Sequence, residues 1–226
     1  MAEVIDISIA AMSGCYDATR AAALSGVPKS TVYWWAKQGI VSPSVSPVQE
    51  MLWSYADLMS LRIVSWLRRT KTGHAENSLP ASPMPAVRAA LLRLSELELD
   101  LWKSGQQSSL LVDGSGRIFI KTSDRLTTAY GTDALPDLET FDLLRPFQVG
   151  GGNGPDLVSP RSNLRIVPDR VVGEPHVADT RITTDSIFAL NVRGFQSREI
   201  ADMYNLPIGH VEQAIDLEKQ LSGSAA

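Results

Sequence analysis

The sequence predicts a mainly α protein of the α+β class. Three observations predict it: helix-turn-helix spacing over residues 16–40, a helix followed by a hairpin signal in the middle, and three separately capped amphipathic segments at 184–221. With 226 residues, 44% of them hydrophobic, the chain has enough apolar side chains for one large or two small cores. We expect domains at 1–70, 86–148 and 164–221, joined by linkers at 71–85 and 149–163.

The charge is unevenly distributed along the chain. The net charge is −4, yet residues 16–71 hold seven Lys or Arg against three Asp or Glu, whereas residues 165–226 hold six against nine. A basic surface is the usual requirement for binding phosphates, so the N-terminal part is the candidate for nucleic acid. No apolar run reaches the roughly 20 residues of a membrane span and the N-terminus lacks signal-peptide order, so we expect a cytoplasmic protein with no membrane contact.

Residues 16–40 read as two helices joined by a tight turn. Asp17 is placed to cap an alanine-rich first helix, Gly26 supplies the turn, and Pro28 opens a second helix that ends at Gly39. Three- and four-residue spacing turns Val32 and Trp35 of the second helix inward. The outward residues combine two aromatic side chains with two lysines, which is typical of a contact surface; they are Lys29, Ser30, Tyr33, Trp34 and Lys37.

This region resembles the MerR-type winged helix-turn-helix. The matching residues are Tyr16, Ala22, Gly26, Val27, Thr31, Val32, Trp34, Trp35, Gly39 and Ile40, followed by Trp53, Ser54, Asp57 and Leu58 at the start of the next helix. The resemblance implies DNA binding, with Arg20 and Arg62 adding to the basic edge. Three arginines usual in the family are replaced by Ser30, Tyr33 and Met51, so a winged helix kept only for folding or protein contacts stays open as the alternative.

The middle of the chain predicts a helix and a hairpin. Residues 86–103 carry a broad leucine-rich stripe, which either closes the core of one chain or packs against a second copy in a homodimer. Two short strands, 109–112 and 117–121, flank the turn-forming residues 113–116. A capped helical piece is expected around 140–144.

The C-terminal module, residues 164–221, predicts a short β-element followed by three helices. Thr184 and Ser197 are placed to cap the first two, Gly194 to end the first, and Pro207 to open the third. The inward stripe of the last helix comprises Val211, Ala214 and Ile215.

Here the chain resembles a domain-of-unknown-function family (family 433) found in antitoxins of VapBC-type toxin-antitoxin pairs. The matching residues are Gly173, Pro175, Thr180, Arg181, Ile182, Gly194, Tyr204, Val211 and Ala214, whereas Asp179 stands where the family usually has Gly. The resemblance implies a PIN-like ribonuclease toxin as partner and repression of the shared operon. From the charges we expect Glu212, Asp216 and Glu218 to face the toxin's basic surface. The alternative is a MerR-like transcription regulator with a ligand- or protein-binding C-terminal part and no toxin.

The sequence carries no catalytic pattern. No nucleophile elbow, nucleotide-binding loop or His-Glu-x-x-His motif is present, and His74, His176 and His210 have no Cys, Asp or Glu at ligand spacing beside them. We therefore expect neither an enzyme nor a metal or cofactor.

Overall fold

The computed structural model describes residues 13–72, 78–96, 110–113, 115–121, 126–130, 138–140, 147–149 and 152–224. The helices are α1 Ala18–Ser25, α2 Lys29–Lys37, α3 Tyr55–Leu67, α4 Met84–Glu96, α5 Thr184–Val192, α6 Ser197–Tyr204 and α7 Ile208–Ser224. The strands are β1 Lys71–Thr72, β2 Ser78–Leu79, β3 Leu110–Asp113, β4 Ile118–Lys121, β5 Leu126–Thr128, β6 Leu138–Thr140, β7 Phe147–Val149, β8 Gly152–Gly154, β9 Leu164–Arg165 and β10 His176–Val177. This helix-rich mixture with small sheets confirms the α+β class.

The contacts group the chain into two compact units. The sheet unit is drawn from residues 60–143, and the composite unit joins residues 9–59 to residues 144–226. The sequence divided the chain in linear order instead. Charge and composition carry no signal for contacts between segments far apart in sequence, so that division remains a prediction.

In the sheet unit, β3, β4, β5 and β6 form one antiparallel sheet in the order β5-β4-β3-β6. β3 and β4 are the hairpin expected around 113–116. α4 begins two residues before the predicted helix and is described to Glu96; its predicted continuation to 103 lies outside the described residues. Thr140 pairs with Leu111 in a strand, which corrects the helical piece expected there, and residues 141–144 of that piece also lie outside the described part.

Both predicted linkers contain paired strands. β1 and β2 pair within 71–85, and β7 and β8 pair across the start of 149–163. Leu157 is buried, and the Tyr55 hydroxyl donates a 2.7 Å hydrogen bond to its carbonyl oxygen. The glycine-rich stretch therefore ends in an ordered segment packed against the residues that begin α3.

In the composite unit, α1 and α2 follow the predicted pattern and are called the helix pair below. The Asp17 carboxylate accepts the backbone N–H of Arg20 at 2.7 Å, and Gly26 ends α1 with φ +72°. Ser54 and Asp57 make the reciprocal cap at the start of α3. These local signals were readable because each depends on residues three or four apart.

The C-terminal module is a short β-element followed by α5, α6 and α7. β9 pairs with β10, and Val211, Ala214 and Ile215 line the buried face of α7 as predicted. The capping residues differ by one position: Thr183 caps α5, and Gln196 caps α6 with Glu199. The Thr184 hydroxyl is unavailable for capping because it is turned inward to Glu218.

The helix pair is joined to the C-terminal module by an ion cluster of Arg20, Glu174 and Glu218. Arg20 Nη1 and Nη2 donate to the two carboxylate oxygens of Glu218 at 2.8 and 2.9 Å, and Arg20 Nε donates to Glu174 at 2.8 Å. The Thr184 hydroxyl is a further partner of Glu218. Burial by itself lowers the pKa of Arg20, but the hydrogen bond to Glu218 and the charge of Glu174 outweigh it, so the pKa is raised. The guanidinium therefore stays charged.

Removing the Arg20 charge is expected to destabilise the composite unit strongly. Arg20→Gln leaves Glu218, whose side chain is 5% exposed, without its countercharge, so the free energy of unfolding should fall by about 3–5 kcal/mol. Urea denaturation measures it. The matched control is Asp216→Asn, which breaks the Arg161–Asp216 pair at 69% carboxylate exposure and should cost less than about 1 kcal/mol. Equal effects of the two substitutions would contradict a structural role for the cluster.

His176 is expected to make stability fall as the solution becomes acidic. Its ring is buried, Nδ1 lies 2.9 Å from the Glu174 carbonyl oxygen, and burial, followed by the charges of Arg170 and Arg165, lowers its pKa. As pH falls below about 6.5, His176 takes up a proton in the unfolded chain before it does so in the folded chain. The contribution of His176 to the free energy of unfolding is therefore fully present above that pH. It is lost as pH falls toward the lowered folded pKa, by at most about 1.4 kcal/mol per pH unit.

The free energy of unfolding of wild type and His176→Asn, measured between pH 5 and 8, tests this expectation. The difference between the two proteins should change with pH below about 6.5 and be constant above it. The comparison is needed because burial raises the pKa of Glu174, which gives the opposite trend at lower pH in both proteins. Parallel curves throughout would rule out a contribution from His176.

Candidate nucleic-acid interface

The outward face of α2 is the candidate contact surface. Val32 and Trp35 are buried, whereas Ser30, Lys37 and Tyr33 are exposed, as the helical spacing predicts. Trp34 is 53% exposed, the most open large apolar side chain on α1 or α2. Lys29 is partly covered, and its Nζ donates to the Thr19 hydroxyl at 2.6 Å. The face thus offers an indole, a phenol and a hydroxyl, with a cation at each end.

Tyr33 is supported by the interior of the composite unit. Its ring meets Trp53 edge to face, with centroids 6.2 Å apart and planes at 79°. Trp53 is buried and exchanges two backbone hydrogen bonds of 2.9 Å with Tyr16. The Tyr16 hydroxyl in turn donates to the Gly173 carbonyl oxygen at 2.8 Å. A continuous series of contacts therefore runs from the C-terminal module to the candidate surface.

A loop between α2 and α3 adds apolar side chains that sequence reasoning did not identify. Ser46 bridges Leu52, and the hydroxyl of Ser44 donates to Asp57 at 2.7 Å, which ties the loop to the start of α3. Val45 and Val48 are exposed on it. The available signal was the run SVSPV, in which valines alternate with turn-forming residues.

Two of the expected DNA contacts are corrected by their burial. Arg62 has 0% exposure, so its guanidinium is inaccessible to a phosphate. Arg20 is committed to the two carboxylates of the ion cluster, with a side-chain exposure of 16%. The basic edge expected from four cations therefore reduces to Lys29 and Lys37.

The three residues expected to bind the partner also differ in burial. Glu218 is buried in the ion cluster, which removes it from any partner surface. Asp216 is exposed and pairs with Arg161 at 2.8 Å, and Glu212 is exposed on α7. Large apolar side chains are also exposed at the two turns that join α5, α6 and α7; they are Val192, Phe195, Met203 and Ile208.

The residues 171–173, called the anchor turn, have an unusual backbone. Val171, Val172 and Gly173 have φ values of +44°, +59° and +82°. Glycine adopts such angles freely, but each β-branched residue there costs roughly 1–3 kcal/mol. The sequence predicted a turn at Gly173 and gave no indication that two valines share its left-handed conformation.

The described residues show no metal or membrane feature. Within them no group of three or more His, Cys, Asp or Glu side chains is placed to hold a metal ion. Nor does any helix of that part combine the length and apolar character that crossing a bilayer requires.

Comparison with known proteins identifies the C-terminal module. Residues 165–216 match the family described as "Protein of unknown function (DUF433)", which confirms the resemblance expected for that stretch. Asp179, which stands where the family usually has Gly, has φ +60°, so the position needs the left-handed conformation that glycine favours. No curated protein matches the chain.

A solved structure shares the fold over most of the chain. The crystal structure of Rv2018 from Mycobacterium tuberculosis is similar with a TM-score of 0.50 and 14% sequence identity, over 89% of this chain and 96% of that one. The similarity extends beyond the family match of residues 165–216 and includes segments from both compact units.

Proposed function

We propose that this protein is a cytoplasmic DNA-binding antitoxin of a VapBC-like pair, without catalytic activity of its own. The observation that carries the DNA-binding part is the face of α2, where Tyr33 and Trp34 are exposed between Lys29 and Lys37 and the Tyr33 ring packs on buried Trp53. A recognition helix presents such residues to base edges in the major groove, where a hydroxyl donates or accepts and an apolar ring meets a thymine methyl.

The proposed architecture of this region is a MerR-like winged helix-turn-helix. α1 and α2 supply the two helices, and the bridged loop at 46–52 supplies the wing. Val45 and Val48 would then lie toward the DNA backbone or the minor groove, without the arginine that the family usually has at Met51. Such a wing contributes shape and apolar contact in place of a charge-assisted phosphate contact.

The proposed partner of the C-terminal module is a PIN-like ribonuclease toxin. The exposed carboxylates Glu212 and Asp216 complement a basic RNA-binding surface. The apolar side chains at the helix turns, Met203 and Ile208 among them, give the desolvated contacts from which protein interfaces gain most of their affinity. The antitoxin would act as a homodimer that holds the toxin and represses its own operon at paired half-sites.

The alternative is a MerR-like transcription regulator that binds a small molecule or another protein and has no toxin. Its support is the same α2 face together with the DUF433 match, whose description assigns no toxin. The reading frame beside the gene discriminates between the two: a short ribonuclease-like frame favours the antitoxin, and an effector operon favours the regulator.

Replacing Lys29, Tyr33 and Lys37 by Ala is expected to abolish tight binding to the protein's own promoter fragment. In the proposed homodimer each subunit loses two phosphate contacts, so the slope of log K against log salt should become shallower by about 4, and affinity at 0.1 M salt should fall at least about tenfold. Fluorescence anisotropy over a salt series measures both quantities.

The matched control removes two exposed cations from elsewhere, by Arg198→Ala with Lys219→Ala in the C-terminal module. It should leave the slope unchanged. If the control and the triple variant weaken binding equally, DNA contacts lie outside α2; if wild type binds no promoter DNA, the DNA-binding proposal falls.

Substitutions in the C-terminal module are expected to release the toxin while the chain stays folded. Met203→Asp with Ile208→Asp should lower toxin affinity at least about tenfold, and Glu212→Lys should slow association by reversing a charge. Calorimetry with the neighbouring ribonuclease measures affinity, and stopped flow measures association. Point substitutions are preferred to removing residues from 165 onward, because that truncation deletes Glu174 and Glu218 and leaves Arg20 without its partners.

The matched control is Tyr130→Asp, an exposed aromatic position in the sheet unit. It should bind the toxin like wild type. Full toxin affinity in both C-terminal variants would move the partner site away from this module.

A further inference from the structure

The left-handed conformation of the anchor turn lacks a local cause. Val171 and Val172 are β-branched, and their side chains disfavour positive φ more than most residues do. Val172 is 59% exposed, so burial of its side chain does not hold it there. The backbone hydrogen bonds from Gly173 N to Arg170 O and from Glu174 N to Val171 O close the turn but do not offset the steric cost.

The anchor turn is held instead by residues 15–20, at the start of the helix pair. Cys15 N donates to the Val172 carbonyl oxygen at 3.0 Å, and the Tyr16 hydroxyl donates to the Gly173 carbonyl oxygen. Arg20 binds Glu174, the next residue after the turn. These three contacts fall on successive residues, so together they fix the direction of both carbonyls and the exit of the chain.

The contact is too close for any residue but glycine at 173. A Cβ atom there would lie 2.1 Å from the Tyr16 hydroxyl oxygen, far less than the sum of the van der Waals radii of carbon and oxygen. Rotation of the turn to ordinary negative φ would swing the two carbonyl oxygens away from Cys15 and Tyr16. The left-handed turn and the seated helix pair therefore require each other.

We propose that the anchor turn is a two-state latch: it is left-handed while residues 15–20 are seated on it, relaxes when they leave, and thereby favours release of the helix pair from the C-terminal module. The two states differ in the sign of φ at Val171 and Val172, which is positive in the seated state and negative in the relaxed state. The hydrogen bonds of Tyr16 and Cys15 and the ion cluster stabilise the seated state. Such a local opening precedes global unfolding.

The latch bears on the candidate surface through Tyr16. The backbone of Tyr16 is bonded to Trp53, whose ring supports Tyr33 on α2. Opening the latch thus loosens the support of an aromatic side chain on the proposed DNA face. This consequence for DNA rests on the proposed function, whereas the latch itself does not.

The test is hydrogen exchange of the full chain without DNA, with Val172→Gly. Glycine has no steric penalty at positive φ, so the substitution should stabilise the seated form and slow exchange of the Cys15 amide and of the α1 amides by about tenfold. Tyr16→Phe removes one hydrogen bond and should speed exchange at the same amides by about fivefold. The opposite signs are the signature of a strained turn that Tyr16 holds.

The matched control is Val48→Gly, an exposed loop valine without positive φ. It should leave α1 exchange unchanged or faster, as added chain flexibility does. Faster α1 exchange in Val172→Gly would overturn the latch. So would a Tyr16→Phe effect confined to Cys15, because α1 would then open independently of the turn.

Promoter binding of the same variants separates the two proposals. Slower exchange in Val172→Gly with no promoter binding by any variant, wild type included, keeps the latch and rejects the DNA proposal. If wild type binds the promoter but Val172→Gly leaves the exchange rates of the Cys15 and α1 amides unchanged, the DNA proposal stands and the latch is rejected.

Discussion

The guanidinium of Arg20 is the interaction on which the composite unit depends. A buried cation is tolerated only when its charge and its N–H groups all find partners, and here Glu218 receives two of them and Glu174 another. The partners lie 154 and 198 residues away in sequence, so forming the cluster requires the two ends of the chain to meet. Breaking it leaves the Glu218 carboxylate buried without a countercharge, which is more costly than losing a surface pair.

The cluster also changes what the family match means for this chain. The DUF433 segment is recognisable by itself, yet residues 15–20 contact its turn at Gly173, and Arg20 binds Glu218 of the last helix. Tyr16, Cys15 and Arg20 supply those contacts. The 52 residues that match the family are therefore one part of the composite unit, so we expect a substitution at the ion cluster to change the stability of both parts.

The parts of the fold that the sequence predicted are those encoded by neighbours. Asp17, Gly26 and the Ser54–Asp57 pair were readable because a cap or a turn depends on residues within four positions. The faces of α2 followed from helical spacing. The ion pairs of Arg20 with Glu174 and Glu218 were unpredictable, because a cation near a predicted DNA-binding helix looks the same in sequence whether its partner is a phosphate or a distant glutamate. The left-handed conformation of Val172 was unpredictable for a similar reason: the residue type disfavours it, and the contacts made to the turn come from Cys15, Tyr16 and Arg20, more than 150 residues away.

Because Arg20 and Arg62 are unavailable to phosphates, the small positive charge of the α2 face limits how it could bind DNA. Lys29 and Lys37 alone release few counterions, so a single copy would bind any duplex weakly, and phosphate contacts would supply a small part of its affinity. Tyr33 and Trp34 would then carry an unusually large share through base edges and thymine methyls, which favours discrimination over non-specific binding. Useful affinity would have to come from joining two such faces, because a dimer on paired half-sites doubles the phosphate contacts and makes the second contact intramolecular. The proposed homodimer is therefore a requirement of the DNA-binding proposal and not an addition to it.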